Sequence, residues 1–289
     1  MPTSLPDPLP IRRLTRDDLV LCADLSEDRG WPRDEHRWGL LLTAGTAYGV
    51  DDPSGKGLVC SGVVMSYGRD LAAIGVMLVA ERYARQGVGR RFMQYMIKET
   101  SGTPLTLHAT SQGEPLYEQL GFRAVGRVEM LRGPFRLPAE GAATPATTIT
   151  RPATAEDLSA IVRLDGEVFG LDRTHMIARL PAFADQLRVA EENGVLTGYA
   201  AAWPSMNTHV IGPLIARDTQ TAQALITSLA SATDRPFRAD IDMRHKELLT
   251  WLKEHGLETA SFNTVMTQGI DALPGDWTRR FAPLSVATG

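Results

Sequence analysis

The stretch YARQGVGRRF, residues 83–92, decides how the rest of the chain is read. It follows an apolar run, LAAIGVMLVA (71–80), and opens a segment in which Val88, Phe92, Tyr95 and Met96 share one face at helical spacing. A strand thus runs into a glycine-containing turn and then a helix. The first turn of such a helix offers free N–H groups and the positive end of its dipole, where anions bind readily. Gly87 and Gly89 carry no Cβ where a phosphate would approach the backbone, and Arg85, Arg90 and Arg91 could add charge-assisted hydrogen bonds. Two phosphate motifs are excluded. A Walker loop needs Lys-Ser or Lys-Thr where Arg90 and Arg91 stand, and the third glycine of G-x-G-x-x-G falls on Phe92. From these residues alone, a tight turn with solvated arginines remains the alternative.

The 289-residue length favours two domains over one core. Apolar residues at 43% and charged residues at 22% are those of a soluble globular protein. No apolar stretch approaches the ~20 residues of a membrane span. The opening MPTSLPDPLP lacks the basic start and apolar segment of a signal peptide, so a cytoplasmic location and no membrane partner are expected. Two cysteines, Cys22 and Cys60, are too few for a disulfide scaffold or a cysteine-based zinc site, and buried thiols are expected. The net charge of −4 argues against nucleic-acid binding. Residues 1–137 carry 17 Lys+Arg against 16 Asp+Glu and the remainder 13 against 18, so the first half is the better host for an anion.

LPAEGAATPATT (137–148) reads as a linker, and one order of elements runs on both sides of it. IRRLTRDDL (11–19) is echoed by ITRPATAEDL (149–158), GLVCSGVVM and LAAIGVMLVA by GVLTGYAAAW (194–203) and THVIGPLIAR (208–217), and LYEQLGF (116–122) by TWLKEHGL (250–257). Two tandem copies of one α/β fold follow, with residues 1–137 and 149–289 as domains and 138–148 between them. In the first copy the pattern predicts strands at 11–14, 46–51, 58–67, 71–79, 104–109, 122–126 and 128–135. Helices are predicted at 17–27, 33–44, 87–99 and 113–120. This is a mixed α/β order with the parallel pairing that crossovers require.

VAERYARQGVGRRF followed by LYEQLGF resembles the GNAT superfamily of N-acetyltransferases. The resemblance covers residues 10–137 well and 149–270 more weakly. It implies two GNAT-like domains, each a mixed, mostly antiparallel sheet flanked by helices. It also implies acetyl-CoA as co-substrate, with its pyrophosphate wrapped by the glycine loop at Arg85, Gln86, Gly87, Val88, Gly89 and Arg90. The polar residue that leads this loop in the family is replaced by Ala84. Main-chain N–H groups of Met77, Leu78 and Val79 are implied for the acetyl and pantetheine groups, where two strands splay. Residues 116–122 match the family segment that sets a tyrosine, here Tyr117, beside the thioester sulfur.

Acetyl transfer to an amine needs a neutral nucleophile, stabilisation of the carbonyl oxygen, protonation of the leaving thiolate and alignment. Tyr117, with an ordinary pKa near ~10, is the candidate acid, against the alternative of a core tyrosine. His108 in LTLHAT is the candidate base, against that of an ordinary strand histidine; Glu35, His36 and Glu81 are further candidates. Trp31 and Glu35 in GWPRDEHRW are expected at the acceptor side, and Trp38 either there or in the core. No covalent enzyme intermediate is expected, because neither cysteine sits near a motif histidine. The acceptor implied is a primary amine of a small molecule or peptide, and a homodimer is left open.

In the second copy the loop position reads ARDTQTAQALI (216–226), without glycine, and Leu252 takes the tyrosine position. That copy is expected to be silent, a structural or substrate-shaping domain. Asp240, Asp242 and His245 lie close together, but their spacing supports no metal site. A sensor that only binds CoA species is the rival reading from outside the enzyme class.

Overall fold

The computed structural model describes residues 5–138 and 148–289, so the expected linker falls largely outside the described residues. The first half runs β1 (Arg12–Leu14), α1 (Leu19–Asp28), α2 (Glu35–Ala44), β2 (Thr46–Asp51), β3 (Leu58–Ser66), β4 (Ala72–Val79), α3 (Val88–Glu99), β5 (Leu105–Ala109), α4 (Glu114–Gln119) and β6 (Arg123–Gly133). The second half opens with β7 (Ile149–Pro152), α5 (Leu158–Phe169) and two short helices, α6 (Thr174–Ile177) and α7 (Leu180–Phe183). It continues with β8 (Gln186–Glu192), β9 (Val195–Ser205), β10 (Thr208–Ala216), α8 (Thr219–Ala230), β11 (Phe237–Asp242), α9 (Lys246–Glu254), β12 (Glu258–Gln268) and β13 (Arg280–Ala282).

Duplication is visible in local chemistry. After β1, Thr15 and Asp18 form a capping box, and Arg12 binds Asp18 at 2.7 Å. After β7, Thr154 and Asp157 form the same box, and Arg151 binds Asp157 at 2.7 Å. Each clasp fixes how an edge strand turns into its first helix.

The strands form one mixed, mostly antiparallel sheet in the order β1-β2-β3-β4-β5-β12-β6-β11-β10-β9-β8-β7. The two halves have exchanged their last long strands. β12, from the second half, pairs antiparallel with β5 of the first, and β6, from the first, pairs antiparallel with β11 of the second. β6 and β12 also pair with each other along most of their length. This corrects the expected strands at 122–126 and 128–135. They are a single strand, β6, since the neighbour that a hairpin would have supplied comes instead from β12.

Burial follows. β3, β4 and β10 are apolar nearly throughout because both faces of the sheet are covered. One apolar cluster joins Leu41, Phe92 and Met96 of the first half to Phe169, Trp203 and Leu284 of the second. A smaller one, around Leu225, Phe237, Leu248 and Phe281, belongs mainly to the second half.

Candidate active site

β4 and β5 are parallel neighbours only through Ala72↔Leu105, Ala73↔Thr106 and Ile74↔Leu107. From Gly75 onward β4 has no strand partner on that side among the described residues. Its pairing with β3 also shifts there, since Ser61 opposes Leu78 and Val63 opposes Gly75, leaving Val76 and Met77 opposite Gly62 alone. Val76 has φ +45°, a left-handed backbone that a β-branched residue adopts only under tertiary constraint. The bulge therefore re-aims Met77, Leu78 and Val79 at the point where the strands part.

The glycine loop stands at the end of that strand. Arg85 and Gly87 have φ +60° and +75°, and Gly87 is the N-cap of α3, with no side chain closing the cap. No main-chain N–H from Gln86 to Arg90 donates to another described group; the first that does is Arg91, to the Gly87 carbonyl at 3.2 Å. Arg85, Gln86, Gly87 and Arg90 are exposed, and the first turn of α3 has no acidic residue. Five consecutive free donors at a helix N-terminus are the kind of arrangement that suits an anion. A Cβ at Gly89 would lie 3.5 Å from Leu116 Cδ2 and Met77 Cε and 3.6 Å from Val79 Cγ2. Loop, bulged strand and tyrosine helix thus meet at one place, and Arg90 also donates to Gln119 Oε1 on α4.

Tyr117 is 9% exposed, its ring edge-on to Phe122 at 6.0 Å. Burial pushes its pKa up to about 12, which keeps the hydroxyl protonated, and that hydroxyl has no hydrogen-bond partner among the described residues. His108 is the first residue of β5 past its pairing with β4. It retains some accessible surface, but its Nδ1 is sealed from solvent without a partner. Burial, with Arg280 nearby, lowers its pKa to about 4 against the opposing effect of a hydrogen bond to the Val286 main chain, so the imidazole is neutral at pH 7. Burial also pushes the thiols of Cys22 and Cys60 up to about 12, which leaves both inert at neutral pH.

The other candidates have partners of their own. Trp31 is half-buried against the core, and Trp38 is fully buried, its Nε1 donating to Ser26 at 2.9 Å. Glu35 is exposed and paired with Arg33 at 3.1 Å, while Glu81 pairs with Arg29. His36 stacks on Phe183 of the second half at 4.4 Å and bonds its carbonyl at 2.7 Å, so α2 serves the contact between halves. Asp240 and Asp242 are held by Arg238 and Arg244, and His245 bonds the Arg280 carbonyl at 2.9 Å. A surface depression of about 520 Å³, lined by Arg13, Arg16, Thr43 and Thr46 among others, shares no residue with the loop or with Tyr117.

The second half repeats the parting of strands in the same register. β10 and β11 pair through His209↔Phe237, Val210↔Arg238 and Ile211↔Ala239, with Ile211-Gly212 standing where Ile74-Gly75 stand. Here the wedge is filled. β13 pairs antiparallel with β10 beyond that point, through Leu214↔Ala282 and Ile215↔Arg280. Pro213 takes the place of Val76 and has no N–H to donate. The N-terminus of α8 is capped by Asp218, which accepts from Thr221 N at 2.8 Å and sets a carboxylate where the first half leaves free donors. Neither β13, Arg280 nor the bulge was marked as functional by sequence. The repeated Ile-Gly pair was the available signal for the bulge.

Comparison with known proteins agrees with this geometry. Two protein-family models, each described as an acetyltransferase (GNAT) domain, match residues 161–282 and 56–133. An uncharacterized N-acetyltransferase of Bacillus subtilis (strain 168), YitH, is 32% identical over 230 residues, which is 78% of this chain and 80% of the relative. A Pyrococcus horikoshii structure described as an acetyltransferase candidate superposes over 100% of this chain and 99% of its own, with TM-score 0.82 and 19% identity. A tandem GNAT protein from the clavulanic acid biosynthesis pathway covers 91% of this chain and 99% of its own, with TM-score 0.66 and 13% identity. The bulged strand, the uncapped glycine loop and the tyrosine helix, taken with these likenesses, make the chain a tandem member of the GNAT superfamily of N-acetyltransferases.

Proposed function

We propose that the protein transfers an acetyl group from acetyl-CoA to a primary amine, at one site per chain, in a ternary complex. The observation that carries this reading is the run of uncommitted N–H groups from Gln86 to Arg90, set against the bulged end of β4 and the Tyr117 helix. Those N–H groups, with Arg85 and Arg90, would hold the pyrophosphate. Main-chain N–H groups of Met77, Leu78 and Val79 would bind the pantetheine and polarise the thioester carbonyl. Acetyl-CoA supplies the activated acyl group. Tyr117 keeps its proton at neutral pH and would give it to the departing thiolate, while neutral His108 would take one from the amine, directly or through water. The plugged wedge between β10 and β11 argues for a single cofactor per chain, with the second half covering the acceptor side.

Calorimetric titration with acetyl-CoA tests this. One site per chain, lost in Gly89→Glu, is expected, followed by release of CoA thiol with an amine panel. Two sites would overturn the silent second half. Binding without thiol release for any amine would identify a sensor.

A further inference from the structure

Facing β5, on the side covered by the second half, several polar groups have nothing to bind. Arg280 is 5% exposed, with its guanidinium 4.2 Å from the Phe169 ring centroid and 4.3 Å from that of Trp277. It forms no ion pair among the described residues. The nearest carboxylates are committed elsewhere. Asp165 accepts from Arg173 Nε and Nη2, both at 2.7 Å, and from the Tyr199 hydroxyl. Asp242 accepts from Arg244 N at 2.9 Å and Nη1 at 2.7 Å. Arg173 and Arg280 therefore share one buried anion, and one positive charge is left over. Burial and the neighbouring Arg173 lower the Arg280 pKa to about 9, which still leaves it charged at pH 7.

Two further orphan atoms lie close by. Thr106 Oγ1 and His108 Nδ1 are buried without partners, two residues apart on one face of β5, although the His108 ring also has a hydrogen bond to the Val286 main chain. Buried polar groups in folded proteins are paired almost without exception, so two orphan atoms beside an arginine without an ion pair point to a missing polar partner. The same face is overlain by residues 286–289, which belong to neither helix nor strand. The Ala287 main chain packs on Gly75, Gly289 lies against Ala73 and Thr106, and Thr288 is held by the Tyr67 hydroxyl and by its own N–H to Ser285 at 2.9 Å.

Resting on the acetyl-transfer reading above, we infer that the acceptor is an amine that also carries a carboxylate, bound with the carboxylate on Arg280 and the amine at His108. The ligand takes the space now held by residues 286–289, which it must displace from a buried position where Ala287 and Thr288 are 3% and 1% exposed. Arg280 thereby selects among amines, and Thr106 supplies a further hydrogen bond.

Matched amines test this on the full chain: glycine against glycinamide, and β-alanine against its amide, each assayed with acetyl-CoA by thiol release. In the wild type, kcat/KM for the carboxylates exceeds that for the amides by about 10- to 100-fold. The preference collapses to about unity in Arg280→Met and survives in part in Arg280→Lys. A wild type that acetylates the amides equally well, or an Arg280→Met variant that keeps the preference, overturns the inference but leaves the enzyme reading intact. Melting curves with glycine or β-alanine need no acetyl-CoA, so they separate the two ideas. A rise in Tm for wild type, absent in Arg280→Met and absent with the amides, supports the site even if acetyl-CoA fails to bind. Identical shifts in wild type and Arg280→Met overturn it.

Discussion

At the scale of the residue, chemistry depends on which groups are left without partners. Tyr117 is neutral through burial, and its hydroxyl is not spent on the protein. On the proposed acid role, Tyr117→Phe should lower kcat by about 10²- to 10⁴-fold while acetyl-CoA affinity changes little. A large loss of affinity in calorimetry would instead count against the acid role. His108 gives a pH prediction whose sign is fixed by its lowered pKa. Below about 6.5 the unfolded chain gains a proton that the folded chain refuses, so stability should fall as pH drops from there toward about 4. Urea titrations of wild type and His108→Gln across that window should show a shallower slope in the variant. Asp165 anchors the buried arginines. Asp165→Ala should cost about 3–5 kcal/mol, since Arg173 would lose its anion where no solvent replaces it.

Elements differ by what closes their ends. α3 and α8 occupy equivalent places in the two halves, yet Gly87 leaves one N-terminus open and Asp218 closes the other. Gly87→Ala should cost about 1 kcal/mol, because a side chain is strained at φ +75°, and should weaken acetyl-CoA binding by displacing the N–H groups. Gly89 differs, since a Cβ there meets only ordinary contacts at 3.5–3.6 Å, so alanine should be tolerated and glutamate should not. Calorimetry on the two alanine variants should separate them; equal loss of binding would contradict the assignment of conformational need to Gly87 alone. The order of strand, glycine turn and helix was legible because period and punctuation are local properties. The Val76 bulge was not, since valine has no preference for positive φ and is held there by neighbouring strands.

Over the whole molecule, strand exchange makes the halves interdependent. A fragment ending at residue 137 would keep β6 but lose β12, leaving β5 without its antiparallel neighbour and β6 without either of its own. That fragment should be aggregated or largely unfolded by circular dichroism, whereas the full chain is expected to melt as one cooperative unit. A soluble, folded fragment that binds acetyl-CoA would show that β6 can turn back onto β5. The shared apolar cluster points the same way, since it takes residues from both halves.

The sequence by itself determined the duplication, the mixed α/β class, and the glycine turn that opens a helix after β4, because each is written in the period or spacing of nearby residues. His108 was legible as a candidate, but its neutrality and buried orphan nitrogen depend on what packs around it. Trp31 and Glu35 were placed at the acceptor side by the family resemblance; the fold adds that Trp31 is half-buried against the core and that Glu35 pairs with Arg33. Only the tertiary structure decided which half owns each long strand, what fills the wedge between β10 and β11, and which arginine is left without an anion. Those outcomes join residues far apart in the chain, such as Gly75 with Ala287 and β5 with β12, and no local pattern encodes a contact that exists only after the chain has closed on itself.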